Sequence, residues 1–72
     1  MFIRSKISNS LVNAKDVATF EKIIWPGSID VVAYFDVERE SYIILDTFYV
    51  VEAADSYLYE LHKHLLEKGL AI

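Results

Sequence analysis

The clearest periodic pattern along the chain predicts an amphipathic helix from about residue 54 to residue 68. At 100° per residue its apolar and amphipathic side chains span an arc of roughly 200°, whereas a helix on one core needs little more than about 100°. Asp55 is placed to cap its start and Gly69 to end it. The arc contains Ala54, Tyr57, Leu58, Tyr59, Leu61, His62, Leu65 and Leu66. Part of this surface is therefore in excess of what one core needs.

Two segments before this helix have the pattern of β-strands. From Ile29 to Val37 apolar side chains alternate with period two, and the polar run Glu38-Arg39-Glu40 fits a hairpin connection. The segment Ser41 to Val51 is rich in β-branched and aromatic residues but apolar on both faces, with Ile43, Leu45, Tyr49 and Val51 on one and Tyr42, Ile44, Phe48 and Val50 on the other. Such a strand is usually covered on both sides.

The first third of the chain is predicted to contain a second helix, from about Ala14 to Ile24. Asn13 is a good N-cap, and Val17, Phe20 and Ile24 recur at helical spacing before Pro26-Gly27 ends the segment. Residues 2–7 alternate weakly, which fits an edge strand or a pinned terminus. The predicted fold is α+β, a single domain over residues 1–72. A small antiparallel hairpin sheet of two or three strands packs with two α-helices in the order (β)-α-β-β-α.

Composition narrows the classes of function. Folding of a chain of 72 residues buries only about 60% of the unfolded surface, yet 54% of the residues are hydrophobic. The chain has no cysteine, and its net charge of −4 disfavours direct binding to nucleic acid. No signal peptide and no apolar run of about 20 residues is present, so we expect a soluble cytoplasmic protein that does not bind a membrane.

No catalytic, cofactor or metal site is predicted. His62 and His64 lie two residues apart, so they point to opposite sides of a helix and cannot share a metal ion. Glu60 and His64 have the four-residue spacing of helical metal ligands, but a third ligand is missing. The only glycines, Gly27 and Gly69, form no phosphate-binding loop.

One hairpin resembles that of PD-(D/E)XK-type nucleases. The segments Pro26-Gly27-Ser28-Ile29-Asp30-Val31-Val32 and Tyr42-Ile43-Ile44-Leu45-Asp46-Thr47-Phe48 carry the resemblance, which covers about a third of the chain. It implies that Asp30 and Asp46 hold Mg²⁺. Phe48 stands where the family has its lysine, so the cation that activates water is missing. We therefore predict that the protein is not an enzyme.

Asp46 interrupts an apolar strand, and a buried carboxylate costs several kcal/mol unless it is paired. We expect Asp46 either to face solvent at a bend or to accept hydrogen bonds. Arg39 and Lys22 are the candidate partners.

The surplus apolar surface predicts a small non-enzymatic protein-interaction or regulatory module, acting as a homodimer or on another protein. The candidate interaction residues are Tyr34, Tyr42, Tyr49, Tyr57, Tyr59 and Leu66, with Trp25 as an outlier. An alternative is an acidic inhibitor of the mobile-element type that blocks a nucleic-acid-binding site on its target. Its surface would contain Asp30, Asp36, Glu38, Glu40 and Glu52. A third hypothesis is a small-ligand site between sheet and helices, for which the sequence places no convergent polar groups.

Overall fold

The computed structural model describes residues 1–69, so the last three residues of the predicted domain lie outside the described residues. The predicted α+β class is confirmed. The predicted order and the count of two α-helices are wrong, because residues 1–69 form five strands, a 3₁₀ turn and one α-helix. The elements are β1 (Phe2–Arg4), β2 (Leu11–Asn13), the 3₁₀ turn (Ala14–Asp16), β3 (Thr19–Trp25), β4 (Ser28–Tyr34), β5 (Tyr42–Phe48) and α1 (Val51–Glu67).

The predicted helix at 14–24 is wrong. Asn13 does cap a helical turn, since its side chain accepts a hydrogen bond from the Lys15 N–H at 3.1 Å, but the turn ends at Asp16. The next segment, β3, is rich in β-branched and aromatic residues, which favour a strand. Pro26 and Gly27 then form a two-residue hairpin loop, and the φ of +89° at Gly27 is the left-handed value that a type II turn requires after proline.

Strands β3, β4 and β5 form an antiparallel sheet in that order. The predicted strands at 29–37 and 41–51 are present, although β4 and β5 are shorter. A β-bulge shifts the register, because Val31 pairs with Asp46 whereas Val32 pairs with Ile44, and Leu45 is the additional residue. The alternation predicted that Phe48 shares a face with Ile44. The bulge directs Leu45 and Asp46 to the same side, so Phe48 instead shares a face with Leu45.

One face of this sheet, here called the helix face, packs on α1. Ile29, Val31 and Ala33 of β4 join Leu45 in a core cluster with Ala54, Leu61 and Leu65 of the helix. The opposite face, here called the open face, carries the alternate residues of the three strands, and none of them belongs to this cluster. The sheet therefore packs one face on this core. The residues of its open face lie outside the core cluster.

Helix α1 begins three residues before its predicted start. Its N-cap is Val50, which makes no side-chain capping bond, and Asp55 pairs with Lys22 instead of capping. Its end agrees with the prediction, because Gly69 has a φ of +71° and donates its N–H to the Leu66 carbonyl at 3.0 Å. No helix within residues 1–69 has the length and apolar character to cross a membrane.

The N-terminal segment is a small hairpin that attaches to β5. Of the two alternatives for residues 2–7, the structure has a strand over Phe2–Arg4, paired with β2. The fully buried Ser5 hydroxyl donates to the Ile44 carbonyl at 2.6 Å, and the Lys6 N–H donates to the Leu45 carbonyl at 2.8 Å. These bonds give hydrogen-bond partners to two carbonyl groups on the outer edge of β5, at the bulge.

Candidate functional site

The open face of the sheet is the first candidate site. Its apolar members come from all three strands, because the register aligns alternate residues across the sheet. They are Ile23, Trp25, Val32, Tyr34, Tyr42 and Ile44. Trp25 and Tyr42, at opposite ends, remain about half exposed, with 50% and 48% of their surface accessible. Val32 and Tyr34 between them are buried, and Ile23 and Ile44 are partly buried. The face is thus an apolar band whose exposed surface lies mainly at its two aromatic ends.

One carboxylate joins the three strands on this face. Asp30 of β4 accepts a hydrogen bond from Trp25 Nε1 at 3.1 Å through one oxygen. Its other oxygen accepts from Thr47 Oγ1 at 2.8 Å. Because both oxygens accept hydrogen bonds, Asp30 lies beside the apolar band with neither carboxylate oxygen left without a partner.

An arginine covers the other end of the open face. Arg39, in the loop after β4, donates from Nε to Glu21 at 2.9 Å, and its guanidinium lies 5.9 Å from the centre of the Tyr34 ring. The hydrogen bond that Arg39 donates to Glu21, together with the negative charge of Glu21, raises the pKa of Arg39 above its ordinary value. Tyr34 also contacts Tyr42, with ring centres 5.5 Å apart. This stack keeps the Tyr34 ring buried and in a fixed position.

The predicted interaction residues fall on separate parts of the surface. Tyr34 and Tyr42 lie together on the open face, whereas Tyr57 lies half-buried on the helix face, 5.6 Å from the Phe48 ring centre. Tyr49 is exposed at the junction of β5 and α1, and Tyr59 and Leu66 are exposed on the helix. Ile23, Val32 and Ile44 of the open face are not among the candidates. The alternation of β3 identifies Ile23 only once residues 19–25 are taken as a strand.

The nuclease-like pair of carboxylates does not converge. Asp30 pairs with Thr47 and faces the open side, whereas Asp46 pairs with Val31 and faces the helix side. The magnesium site that the resemblance implies is therefore not formed by these two residues. Within residues 1–69 no three His, Cys, Asp or Glu side chains lie close enough to hold a metal ion.

Asp46 accepts one hydrogen bond, in line with one of the two predicted alternatives. Its side chain is 15% exposed, and Oδ1 accepts from the Thr47 N–H at 2.8 Å. The predicted partners Arg39 and Lys22 are wrong, because they pair with Glu21 and Asp55. The cation nearest to Asp46 is Lys6, whose Nζ lies 3.7 Å from Oδ2. The N-terminal hairpin places Lys6 there, a long-range contact that periodicity does not reveal.

The second candidate site is a cleft of about 440 Å³ between β5 and α1, on the helix face. Its lining combines apolar and polar side chains: Lys6, Asp46, Phe48, Ala53, Ser56, Tyr57, Glu60, Leu61 and His64. Burial, and secondarily the charge of Asp46, raises the pKa of Tyr57 above 10.0. The sequence places no convergent polar groups between sheet and helix. The structure brings such groups together in this cleft, among them Lys6, Asp46 and Glu60.

The fold and these two sites define an α+β domain with an antiparallel three-stranded sheet, one face of which is covered by a helix. Comparison with protein-family models, with curated proteins and with solved structures gives no match.

Proposed function

We propose that this chain is a small non-enzymatic interaction module that forms a homodimer through the open face of its sheet, and that it acts in the cytoplasm. The observation that carries the proposal is the apolar band of the open face, whose half-exposed aromatic side chains Trp25 and Tyr42 lie outside the core cluster. Contiguous exposed apolar patches on a small domain are often interaction sites. The absence of cysteine fits a reducing compartment.

The chemistry of the open face suits contact with a second copy of itself. A twofold interface requires one surface to be complementary to itself. Glu21 and Arg39 at one end of the open face pair with each other, so the face brings no unpaired charge of theirs into such an interface. Two sheets pack face to face about 10 Å apart through interdigitated apolar side chains. Trp25 and Tyr42 are the aromatic anchors for this packing.

The exposed apolar residues of α1 support an interface less well. Tyr59 and Leu66 lie about two helical turns apart, and the exposed polar residues His62 and Lys63 lie between them on the helix surface. Isolated exposed apolar side chains are common and do not form a patch. The helix therefore serves as the matched control surface.

The distribution of carboxylates gives the acidic-inhibitor alternative less support. Asp36, Glu38 and Glu40 share the loop before β5, whereas Glu52 begins α1 at the opposite end of that strand. Asp36 is engaged in the loop, where it accepts bonds from the N–H groups of Glu40 and Ser41. Asp30 is bonded to Trp25 and Thr47. These carboxylates do not form one continuous acidic surface.

The proposal is tested by measuring molar mass in solution by light scattering. The three strands have seven residues each. They cover only about 14 by 23 Å, at strand spacings of about 4.8 Å and rises of about 3.3 Å. Such a footprint is small for a protein interface, so we expect a weak dimer that dissociates on dilution. The mass is therefore measured from low micromolar to high micromolar concentration, at low and high salt. We expect it to rise from the monomer to the dimer value and to persist in high salt.

A pair of neighbouring residues provides matched variants. Trp25 and Ile24 are adjacent in β3 and 50% and 64% exposed, but they belong to opposite faces of the sheet. Trp25→Lys should abolish the dimer, and Ile24→Lys should leave it intact, with both variants folded by circular dichroism. A wild-type chain that stays monomeric throughout would rule out the homodimer. Equal loss of dimer in both variants would rule out the open face as its interface.

A further inference from the structure

The cleft between β5 and α1 lies on the opposite side of the sheet from the proposed dimer interface. We propose that this cleft binds an organic cation, an ammonium group carried on an apolar or aromatic body. The inference rests on the geometry and charge of the cleft and is independent of dimer formation.

The apolar part of the cleft can hold the body of such a ligand. Phe48 and Tyr57 present tilted rings 5.6 Å apart, and Ala53 and Leu61 of α1 extend the apolar surface beside them. A volume of about 440 Å³ lies within the range of small-ligand pockets. Aromatic ring faces also attract a cation placed over them.

Asp46 provides an acceptor for the ammonium group. Its Oδ1 is occupied by the Thr47 N–H, but Lys6 Nζ lies 3.7 Å from Oδ2, too far for a hydrogen bond. The Lys6 side chain is 72% exposed and makes no side-chain hydrogen bond within residues 1–69, so it can move aside. A ligand ammonium can therefore donate to Oδ2 of a carboxylate that is itself only 15% exposed.

The charge around the cleft favours a cation over an anion. Glu60 of α1 lines the same cleft and has no ion-pair partner within residues 1–69. Two carboxylates, Asp46 and Glu60, thus face the ammonium of Lys6 and the imidazole of His64, which lies 3.8 Å from a third carboxylate, Glu67. The net charge of the whole chain, −4, also attracts cations.

The test titrates 2-phenylethylammonium into the protein and follows backbone amide shifts by NMR. The matched probes are 3-phenylpropionate, which carries an anion on a similar body, and 2-phenylethanol, which carries no charge. We expect saturable shifts at Asp46, Phe48, Tyr57 and Glu60 with the amine, and much weaker ones with the other two probes. Absence of saturation with the amine, or tighter binding of the anion, overturns the proposal.

Charge-neutral variants locate the ammonium contact. A hydrogen bond to a charged group contributes about 1.5 kcal/mol or more, so Asp46→Asn should weaken binding at least about tenfold. Asp16→Asn removes the same charge from an exposed position outside the cleft and should change affinity less than about twofold. Glu60→Gln and Glu38→Gln form a second such pair. Equal effects of Asp46→Asn and Asp16→Asn contradict a contact with Asp46.

The ammonium has two chemical sources, a free small amine or a lysine side chain of a protein. N-acetyl-phenylalanyl-lysine amide, whose only cation is its lysine side chain, distinguishes them. Tighter binding of this peptide than of 2-phenylethylammonium indicates a protein lysine, and the reverse indicates a free amine. Repeating the titration with Trp25→Lys keeps the result separate from dimer formation, since that variant leaves the cleft unchanged.

Discussion

Trp25 donates its indole N–H to Asp30 at 3.1 Å, and this contact links the first and second strands of the central sheet. The same carboxylate accepts from Thr47 on the third strand at 2.8 Å. The aspartate that resembles a nuclease ligand is therefore a structural tie on the open face. These two hydrogen bonds satisfy both oxygens of a carboxylate that lies beside the apolar band.

Replacing Asp30 tests this tie. Asp30→Ala removes two hydrogen bonds to a charged acceptor, and we expect the free energy of unfolding to fall by about 1–3 kcal/mol. Urea denaturation followed by the fluorescence of Trp25, the only tryptophan, measures the change. Asp16→Ala, at an exposed position, is the control. A loss no larger than that of the control would show that the carboxylate does not stabilise the sheet.

Ser5 attaches the N-terminal hairpin to β5. Its buried hydroxyl donates to the Ile44 carbonyl at 2.6 Å and accepts from the N–H groups of Ile7 and Ser8 at 3.2 and 3.1 Å. Ser5→Ala leaves these groups without their partner, so we expect a loss of about 1–3 kcal/mol in the free energy of unfolding. Amide hydrogen exchange should also accelerate first in β1 and β2. Ser8→Ala, with an exposed side chain, should have little effect, and a similar result for both variants would contradict this role.

Gly27 determines the turn between β3 and β4. Its φ of +89° disfavours an L-residue, although no atom lies within 4 Å of the position a Cβ would take. Gly27→Ala should therefore destabilise the fold by about 1–2 kcal/mol through backbone strain alone. D-alanine at this position, introduced by chemical synthesis, should preserve or raise stability because it adopts positive φ without strain. Equal destabilisation by both enantiomers would show that strain is not the cause.

Tyr57 makes stability depend on alkaline pH. Burial, with a smaller contribution from the charge of Asp46, raises its pKa in the folded protein above the ordinary value of 10.0. The folded state therefore holds the phenol proton more tightly than the unfolded state. This stabilisation is fully present below the unfolded pKa and is lost as pH rises through the folded pKa.

Unfolding measured from about pH 8 to about pH 12 checks this dependence. The free energy of unfolding of the wild type should fall more steeply above the ordinary tyrosine pKa than that of Tyr57→Phe. Tyr59→Phe, which alters an exposed tyrosine, should follow the wild type. The Tyr57 account is contradicted by parallel curves for wild type and Tyr57→Phe.

The sequence predicted those elements whose pattern has only one interpretation. Clear periods predict the C-terminal helix and β4, whereas the β-branched and aromatic content predicts β5, which is apolar on both faces. The segment from Ala14 to Ile24 is predicted as a helix because Val17, Phe20 and Ile24 fit helical spacing. Phe20, Lys22 and Ile24 also lie on one face of a strand. The Pro26-Gly27 turn between two β-rich segments was the signal that distinguishes the two.

Other features depend on contacts between distant residues. The bulge at Leu45 places Asp46 on the helix face, and the N-terminal hairpin brings Lys6 beside it. Neither position follows from local periodicity, so the cleft could not be predicted. Asp55 fits the start of a helix, but the helix begins at Val51, so Asp55 lies in its second turn and pairs with Lys22 of β3.

The central claim is that two copies of the chain meet through their open faces. Isotope-filtered NOE spectroscopy on a mixture of labelled and unlabelled protein tests it most directly, because only contacts between different molecules give signals. We predict intermolecular NOEs among Ile23, Trp25, Tyr42 and Ile44, and none at Tyr59 or Leu66. Intermolecular NOEs confined to the helix, or their absence at the highest concentration, would contradict the account.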